Sequence, residues 1–275
     1  MIQTRPVAGA PSLALDNTSL ALDYERMSAT RQLEAGKQLV ADLAVRRGER
    51  VLDVGCGTGL LAEHIANIVG PEGFVLGVDP LPLRIGLATS RVRDTLAFEL
   101  GDAYDLGRLA DGRFDVVVLN AVFHWLPDKT GPLLSFRRVL RPGGRLGIST
   151  ALKGDVSALA VAARAVLAEP PFDLHPRPRE GITFRVDADE LRALLQTTGF
   201  QPLLVEQRAS SVRHDGPEDA LRAMEANSFG NLLGHLPAEL REAARARLRQ
   251  RLASIVGADG ILSPRRGIVA VAERR

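Results

Sequence analysis

The sequence predicts an α/β fold built on a doubly wound, mostly parallel sheet. Three observations carry that expectation. Between residues 50 and 150, short runs of β-formers alternate with stretches of helical periodicity. The first run, Val51 to Val54, passes into Gly55, Gly57 and Gly59 on alternate positions and then into a helix. The run Phe114 to Asn120 is apolar almost throughout, as a strand buried on both faces must be.

Composition sets the frame. The chain has 275 residues, 45% hydrophobic and 25% charged, enough for one full-sized α/β domain with an addition. No run approaches the ~18 apolar residues of a membrane span. Arg5 precedes a mildly apolar stretch, Val7 to Leu15, but Pro11 interrupts it and Asp16 follows, which argues against a secretory signal. Cys56 is the only cysteine. That excludes internal disulfides and multi-cysteine metal sites, so no metal is expected, and it fits a reducing, cytoplasmic setting. The net charge of +2 is too mild, and too spread along the chain, to imply nucleic acid. Lys37, Lys129 and Lys153 are the only lysines; the dominance of arginine and alanine points to a bacterial source with GC-rich DNA.

The elements follow in order. Residues 1–20, rich in Pro, Gly, Ser and Asn, read as the start of a mobile N-terminal arm over 1–29, with the main domain over 30–275. A helix is expected from Ser28 or Thr30, with Leu33, Leu39, Val40 and Leu43 on one stripe. The glycine turn after Val54 is unobstructed, so its backbone N–H groups can face a ligand at the N-terminus of the next helix. Leu60, Leu61, Ile65 and Ile68 carry that helix and Gly70 stops it. A second strand, Gly73 to Val78, ends in Asp79, an acid able to accept both hydroxyls of a ribose or to cap the helix expected over 81–93. Pro80 and Leu81 would offer an apolar shelf. A third strand, Leu96 to Leu100, leads into Gly101-Asp102-Ala103. The fourth runs from Phe114 to Asn120 and on into Phe123-His124-Trp125. A helix through Leu133, Phe136 and Leu140 breaks at Arg141-Pro142-Gly143-Gly144, and Arg145 to Thr150 is the fifth strand.

Beyond it, Ser157 to Ala168 reads as a helix, and Pro170, Pro171, Pro176 and Pro178 as an irregular connection. Asp187 and Glu190 have capping-box spacing at the head of another helix. Pro202 to Gln207 is the sixth strand and Gly267 to Ala272 the seventh. Between these two, over about 209–264, two helices are expected, Glu218 to Asn227 and Pro237 to Val256, the second with Leu240, Ala244, Leu248, Leu252 and Ile255 on one face.

Four landmarks in order, Asp53-x-Gly55-x-Gly57-x-Gly59, Asp79, Gly101-Asp102-Ala103 and Asn120 to Asp128, resemble the class I S-adenosylmethionine (SAM) methyltransferases, in their small-molecule, type 11-like subgroup. Dinucleotide loops place their third glycine where Leu60 stands, which disfavours a nicotinamide enzyme. The resemblance implies a Rossmann-like seven-stranded sheet with an antiparallel last strand, here with a helical cap inserted between strands six and seven. It implies SAM held by Asp53, Gly55, Cys56, Gly57, Gly59, Asp79, Pro80, Asp102, Ala103 and Asn120, with S-adenosylhomocysteine as product. It gives the N-terminal arm, with Tyr24, a part in the lid. Phe123, Trp125 and Phe229 are candidates to line an acceptor pocket under the cap. The acceptor is expected to be small or mid-sized and largely apolar, methylated on oxygen, nitrogen or carbon mainly by proximity and alignment. His124 is the candidate general base, because imidazole titrates near neutrality; the alternative is a packed histidine beside the cofactor. A tRNA-modifying enzyme and a SAM-binding protein without transfer activity are the rival readings. Arsenic methylation is disfavoured, since it uses several thiolates and Cys56 stands alone. The oligomeric state is left open.

Overall fold

The computed structural model describes residues 12–175 and 183–275. Seven strands form one sheet in the order β3-β2-β1-β4-β5-β7-β6. These are β1 (Arg50–Val54), β2 (Phe74–Asp79), β3 (Leu96–Leu100), β4 (Phe114–Asn120), β5 (Leu140–Ala151), β6 (Phe200–His214) and β7 (Ile261–Arg274). The first five run parallel and β7 is antiparallel to both its neighbours, as expected.

Both sheet faces are covered, and the pleat decides which residue goes where. Leu52, Leu76, Val117 and Ile148 pack with Phe136 of α5 (Thr130–Val139) and Leu195 of α7 (Ala188–Thr197). Their neighbours Val51, Val75 and Val116 face the other way, onto Leu39 of α2 (Thr30–Asp42) and Ile65 of α3 (Leu60–Val69). The Asp187–Glu190 capping box forms at the start of α7. The Arg141-Pro142-Gly143-Gly144 turn is a register break inside β5 rather than a connection before it, because pairing already begins at Phe114–Leu140.

Three expectations need correction. The first helix begins much earlier than Ser28. Asn17 accepts a hydrogen bond from the Leu20 N–H (3.0 Å) and caps α1 (Thr18–Asp23), which continues through a π-helical turn, Tyr24–Ala29, into α2. Long-range contacts hold this stretch: Asn231 exchanges two hydrogen bonds with the Ser12 backbone, and Asp23 pairs with Arg222. Residues 1–11 of the expected arm lie outside the described residues.

The last two strands are also longer than their apolar cores. Beyond the final β5–β7 pair, Ala151–Gly267, β6 and β7 pair on as a two-stranded ribbon to His214–Ile261. The stretch expected as a helical insertion over 209–264 is therefore a ribbon carrying a helical tip, α8 (Pro217–Asn227) and α9 (Ala238–Ala253). Leu248 and Leu252 of α9 are buried as expected, but the helix ends before Ile255, which is exposed.

The cap, finally, has a third component. Leu159, Ala163 and Val166 of α6 (Ala158–Leu167), which follows β5, pack with Leu221, Leu248 and Leu252 in a core separate from the sheet. The expected irregular connection after α6 is described only as far as His175; residues 176–182 lie outside the described residues.

Candidate active site

The carboxyl ends of β1, β2, β4 and β5 open on one edge, and the cap stands over it. The glycine turn takes the shape its sequence demands. Gly55 (φ +72°) and Gly57 (φ +56°) are in the left-handed region, and a Cβ on Gly55 would run into the Val122 side chain. The turn presents fewer free N–H groups than expected. Those of Gly55 and Cys56 bond the Val78 carbonyl (2.7 and 3.0 Å), and that of Gly57 bonds Asp79 Oδ2 (2.9 Å). The other Asp79 oxygen accepts from Leu81 N–H (2.9 Å). Asp79 thus ties the turn to β2. It does not cap the next helix, α4 (Pro82–Ala88), whose N-cap is Leu81. Leu81 is buried, so of the expected apolar shelf only Pro80 remains half-exposed.

Asp53 is 1% exposed, and its Oδ2 has no hydrogen-bond partner. Burial, and then the charge of Asp79, push its carboxyl up to about 7. Burial likewise raises the Asp79 carboxyl, opposed by Arg84 and by the two backbone N–H bonds. The Cys56 thiol is driven well above its ordinary range by burial, followed by Asp79 and Asp53. Asp102 closes its own turn, its Oδ1 accepting from Tyr104 N–H (2.7 Å) and Asp105 N–H (3.0 Å), with Ala103 buried beside it. Asn120 donates to the Gln32 carbonyl (3.0 Å). Asp53, Gly55, Cys56, Thr58 and Asn120 line one small cavity, closed by Tyr24, Ala29 and Gln32 from the π-helical turn and α2.

Tyr24 lies against the glycine turn: a Cβ on Gly57 would sit 3.1 Å from its ring. Its hydroxyl donates to Gln32 Oε1 (2.8 Å). The Arg84 guanidinium stands over the Tyr24 ring at 3.7 Å and over the Phe229 ring at 4.8 Å, and it donates to the Ala226 carbonyl (3.1 Å). Phe229 in turn meets Trp125 (centroids 4.8 Å apart), and Trp125 meets His124 (5.1 Å). A continuous stack therefore runs from the glycine turn to the ends of β4 and β5. Phe123, expected to line a pocket here, is instead fully buried in the sheet core, with Lys129 over its ring at 4.6 Å. Arg84 and Gln32 carry no signal in the sequence. One is an arginine among many, and both act through contacts distant along the chain.

At His124, Nδ1 lies 3.2 Å from Thr150 Oγ1 and accepts from the Ala151 N–H (3.4 Å). Burial, then the charges of Arg185, Lys129 and Arg265, depress the imidazole to about 3. With Nδ1 accepting, the proton of the neutral ring sits on Nε2.

Known proteins place this architecture. A family described as "Methyltransferase domain" matches residues 52–148, from β1 into β5. The chain is 32% identical over 216 residues to the 27-O-demethylrifamycin SV methyltransferase of Amycolatopsis mediterranei, covering 73% of this chain and 75% of that one. It is 31% identical over 210 residues to an arsenite methyltransferase of Halobacterium salinarum, covering 74% of this chain but 49% of that one, so it spans about half the length of that relative. Among solved structures, the SAM-dependent methyltransferase of Aquifex aeolicus shares the fold, with a TM-score of 0.52 at 20% identity over 68% of this chain and 90% of that one. With its sheet order and its glycine turn between two buried acids, the chain belongs to the class I SAM-dependent methyltransferases.

Proposed function

We propose that this chain transfers a methyl group from SAM to a small or mid-sized acceptor with an apolar body, on oxygen, nitrogen or carbon. The observation that carries the reading is the unpartnered Asp53 oxygen, buried beside the glycine turn and aimed into the cavity that Asn120 and Tyr24 close. A buried carboxylate oxygen without a partner is costly, and a ligand ammonium would satisfy it. The Asp79 oxygens each retain a lone pair for ribose hydroxyls, and the Asp102–Ala103 turn sits where the adenine end would lie. When bound, SAM supplies an electrophilic methyl group on a sulfonium.

The chain's own residues then align the acceptor and exclude water. Tyr24, on the π-helical turn, serves as the lid that must lift for SAM to enter, since it occupies the face of Gly57. Trp125 and Phe229 form the apolar wall between donor and acceptor. His124 donates from Nε2 and positions the acceptor; a ring titrating at about 3 is a weak base at neutral pH. Cys56, buried as a thiol, offers no thiolate for arsenic, so the chemistry named for the arsenite relative is not carried over. The tRNA reading would draw on the arginines of α9, and part of that charge is offset within the cap. Arg245 pairs with Glu218 and Glu225, and Arg249 with Glu218 at the surface, while Arg241 donates to the Leu236 and Gly234 carbonyls.

Calorimetry with SAM, S-adenosylhomocysteine and NAD tests the donor. Micromolar binding of the first two, on the order of −8 kcal/mol, is expected. Binding of NAD in their place overturns the proposal. Labelled methyl transfer into fractionated metabolite pools then identifies the acceptor.

A further inference from the structure

The acceptor side of the site is basic, and the backbone makes it so. The Phe184 N–H bonds the His124 carbonyl (2.7 Å) and Val186 bridges Leu152, so Arg185 is pinned beside the end of β5. Gly267 of β7 pairs with Ala151, the last residue of β5, which sets Arg265 two residues beyond that end on the ribbon. His124 is held at the same end by Thr150 and Ala151. Arg31 of α2 comes in from the ribbon's inner side, 3.5 Å from His214 Nδ1.

The local carboxylates do not balance these charges. Asp219 is shared between Arg31 (3.4 Å) and His214 (3.4 Å), and Asp155 is paired with Arg266 (3.5 Å). Among the described residues the Arg185 side chain donates only to the Asp155 carbonyl, with the Asp155 charge nearby. The Arg265 side chain makes no hydrogen bond or close ion pair among the described residues, although the charge of Asp155 reaches it, and the residue keeps part of its surface open to solvent. Desolvation holds its guanidinium below the ordinary arginine range, and the charge of Arg185 adds to this. Two guanidiniums, with Arg266 beside them, thus share the one carboxylate of Asp155, which leaves an excess of positive charge at the edge where methyl transfer would occur, and an anion would balance it.

We infer that the acceptor carries an anionic oxygen group, a carboxylate or a phosphate, held by Arg265 and Arg185 at the end of β5 while its apolar body lies along Trp125 and Phe229. This rests on the reading of that edge as the acceptor side. Arginine suits such a group because its planar fork bonds two oxygens at once.

Trp125, the only tryptophan, lies beside His124 and reports on the pocket. The test titrates its fluorescence with octanoate, octyl phosphate and octanol, using the full chain saturated with S-adenosylhomocysteine. At least one of the two anions is expected to bind about tenfold or more tighter than octanol, and the tighter anion identifies the group. Arg265→Gln should remove most of that preference and leave octanol binding unchanged, while Arg265→Lys keeps part of it. Arg185→Gln should act in the same direction. If octanol binds as well as both anions, or Arg265→Gln leaves anion binding unchanged, the inference falls. S-adenosylhomocysteine titrated into the ligand-free chain, before the alkyl probes are added, separates the two ideas. Its binding without any anion preference overturns only this inference; its failure to bind overturns the methyltransferase reading of the site.

Discussion

On the β1–β2 side of the edge the buried charged groups are acids, Asp53 and Asp79, and each carboxyl is raised by burial. On the β5–β7 side the charged groups are arginines, the half-buried Arg185 and the more exposed Arg265, lowered by desolvation. Trp125 and Phe229 stand between. The difference teaches how one sheet edge sorts two ligands. On the acid side burial disfavours the ionised carboxyls, which a cationic group would relieve; on the basic side the guanidiniums remain charged, and an anion would balance them. The acid side uses local sequence, a turn and two strand ends. The basic side is assembled from three segments distant along the chain.

The largest effect is expected from breaking the acid side. Asp79→Ala removes the acceptor for two N–H groups, Gly57 and Leu81, as well as for a ribose. Unfolding free energy should fall by about 3 kcal/mol, with S-adenosylhomocysteine affinity reduced by tenfold or more. Denaturant melts and calorimetry on the one variant check both. Lost stability with unchanged affinity would reduce Asp79 to a turn clamp and remove half of the contrast.

A smaller effect sharpens it. Asp53 titrates at about 7 in the folded chain, so below that pH its carboxyl is mostly protonated. A bound ammonium favours the ionised form, so binding releases a proton. SAM affinity should therefore rise with pH toward about 7 and level off above it, by up to about tenfold per unit. Asp53→Asn should flatten this dependence in calorimetric titrations across pH. A slope that survives the substitution belongs to another group.

The smallest effect concerns His124, where the two sides meet. His124→Ala should slow methyl transfer by less than about tenfold and leave the pH–rate profile unaltered in shape. A general base would lose roughly 10²–10⁴. Stability gives a second readout. The folded ring titrates at about 3, far below a free imidazole, so its contribution is complete above about 6.5 and is lost as pH falls toward 3. The variant should lack that part of the acid destabilisation in melts below neutrality.

The sequence made the acid side readable because its physics is local. β-formers, alternate glycines and strand-end acids fix Val51 to Gly59, Asp79 and Asp102 whatever the rest of the chain does. The basic side was not readable for the opposite reason. Arg185 and Arg265 are two arginines among many, and only the Leu152–Val186 bridge and the Ala151–Gly267 pair bring them together. The ribbon was missed because Arg208 to His214 is polar and its pairing needs only backbone groups. The early helix was missed although Asn17 has the side chain of an N-cap, since the Pro- and Gly-rich residues before it suggested no structure. The place of Phe123 is not legible either, because an aromatic just past a strand end can turn into the core or over the edge.

The ribbon sets a rule for inheritance. Its last pair, His214–Ile261, lies well outside the sheet, so segments of different length joined there leave every sheet register intact. Acceptor preference could thus change by exchange of the tip while the donor half is passed on unaltered. The exchange would not be free, because α6 lies between β5 and α7, outside the tip's own stretch of chain, yet supplies one wall of the tip's core. A chimaera that imports residues 215–260 alone would expose Leu159, Ala163 and Val166 to a foreign surface. Two separate stretches of the gene must travel, or evolve, together.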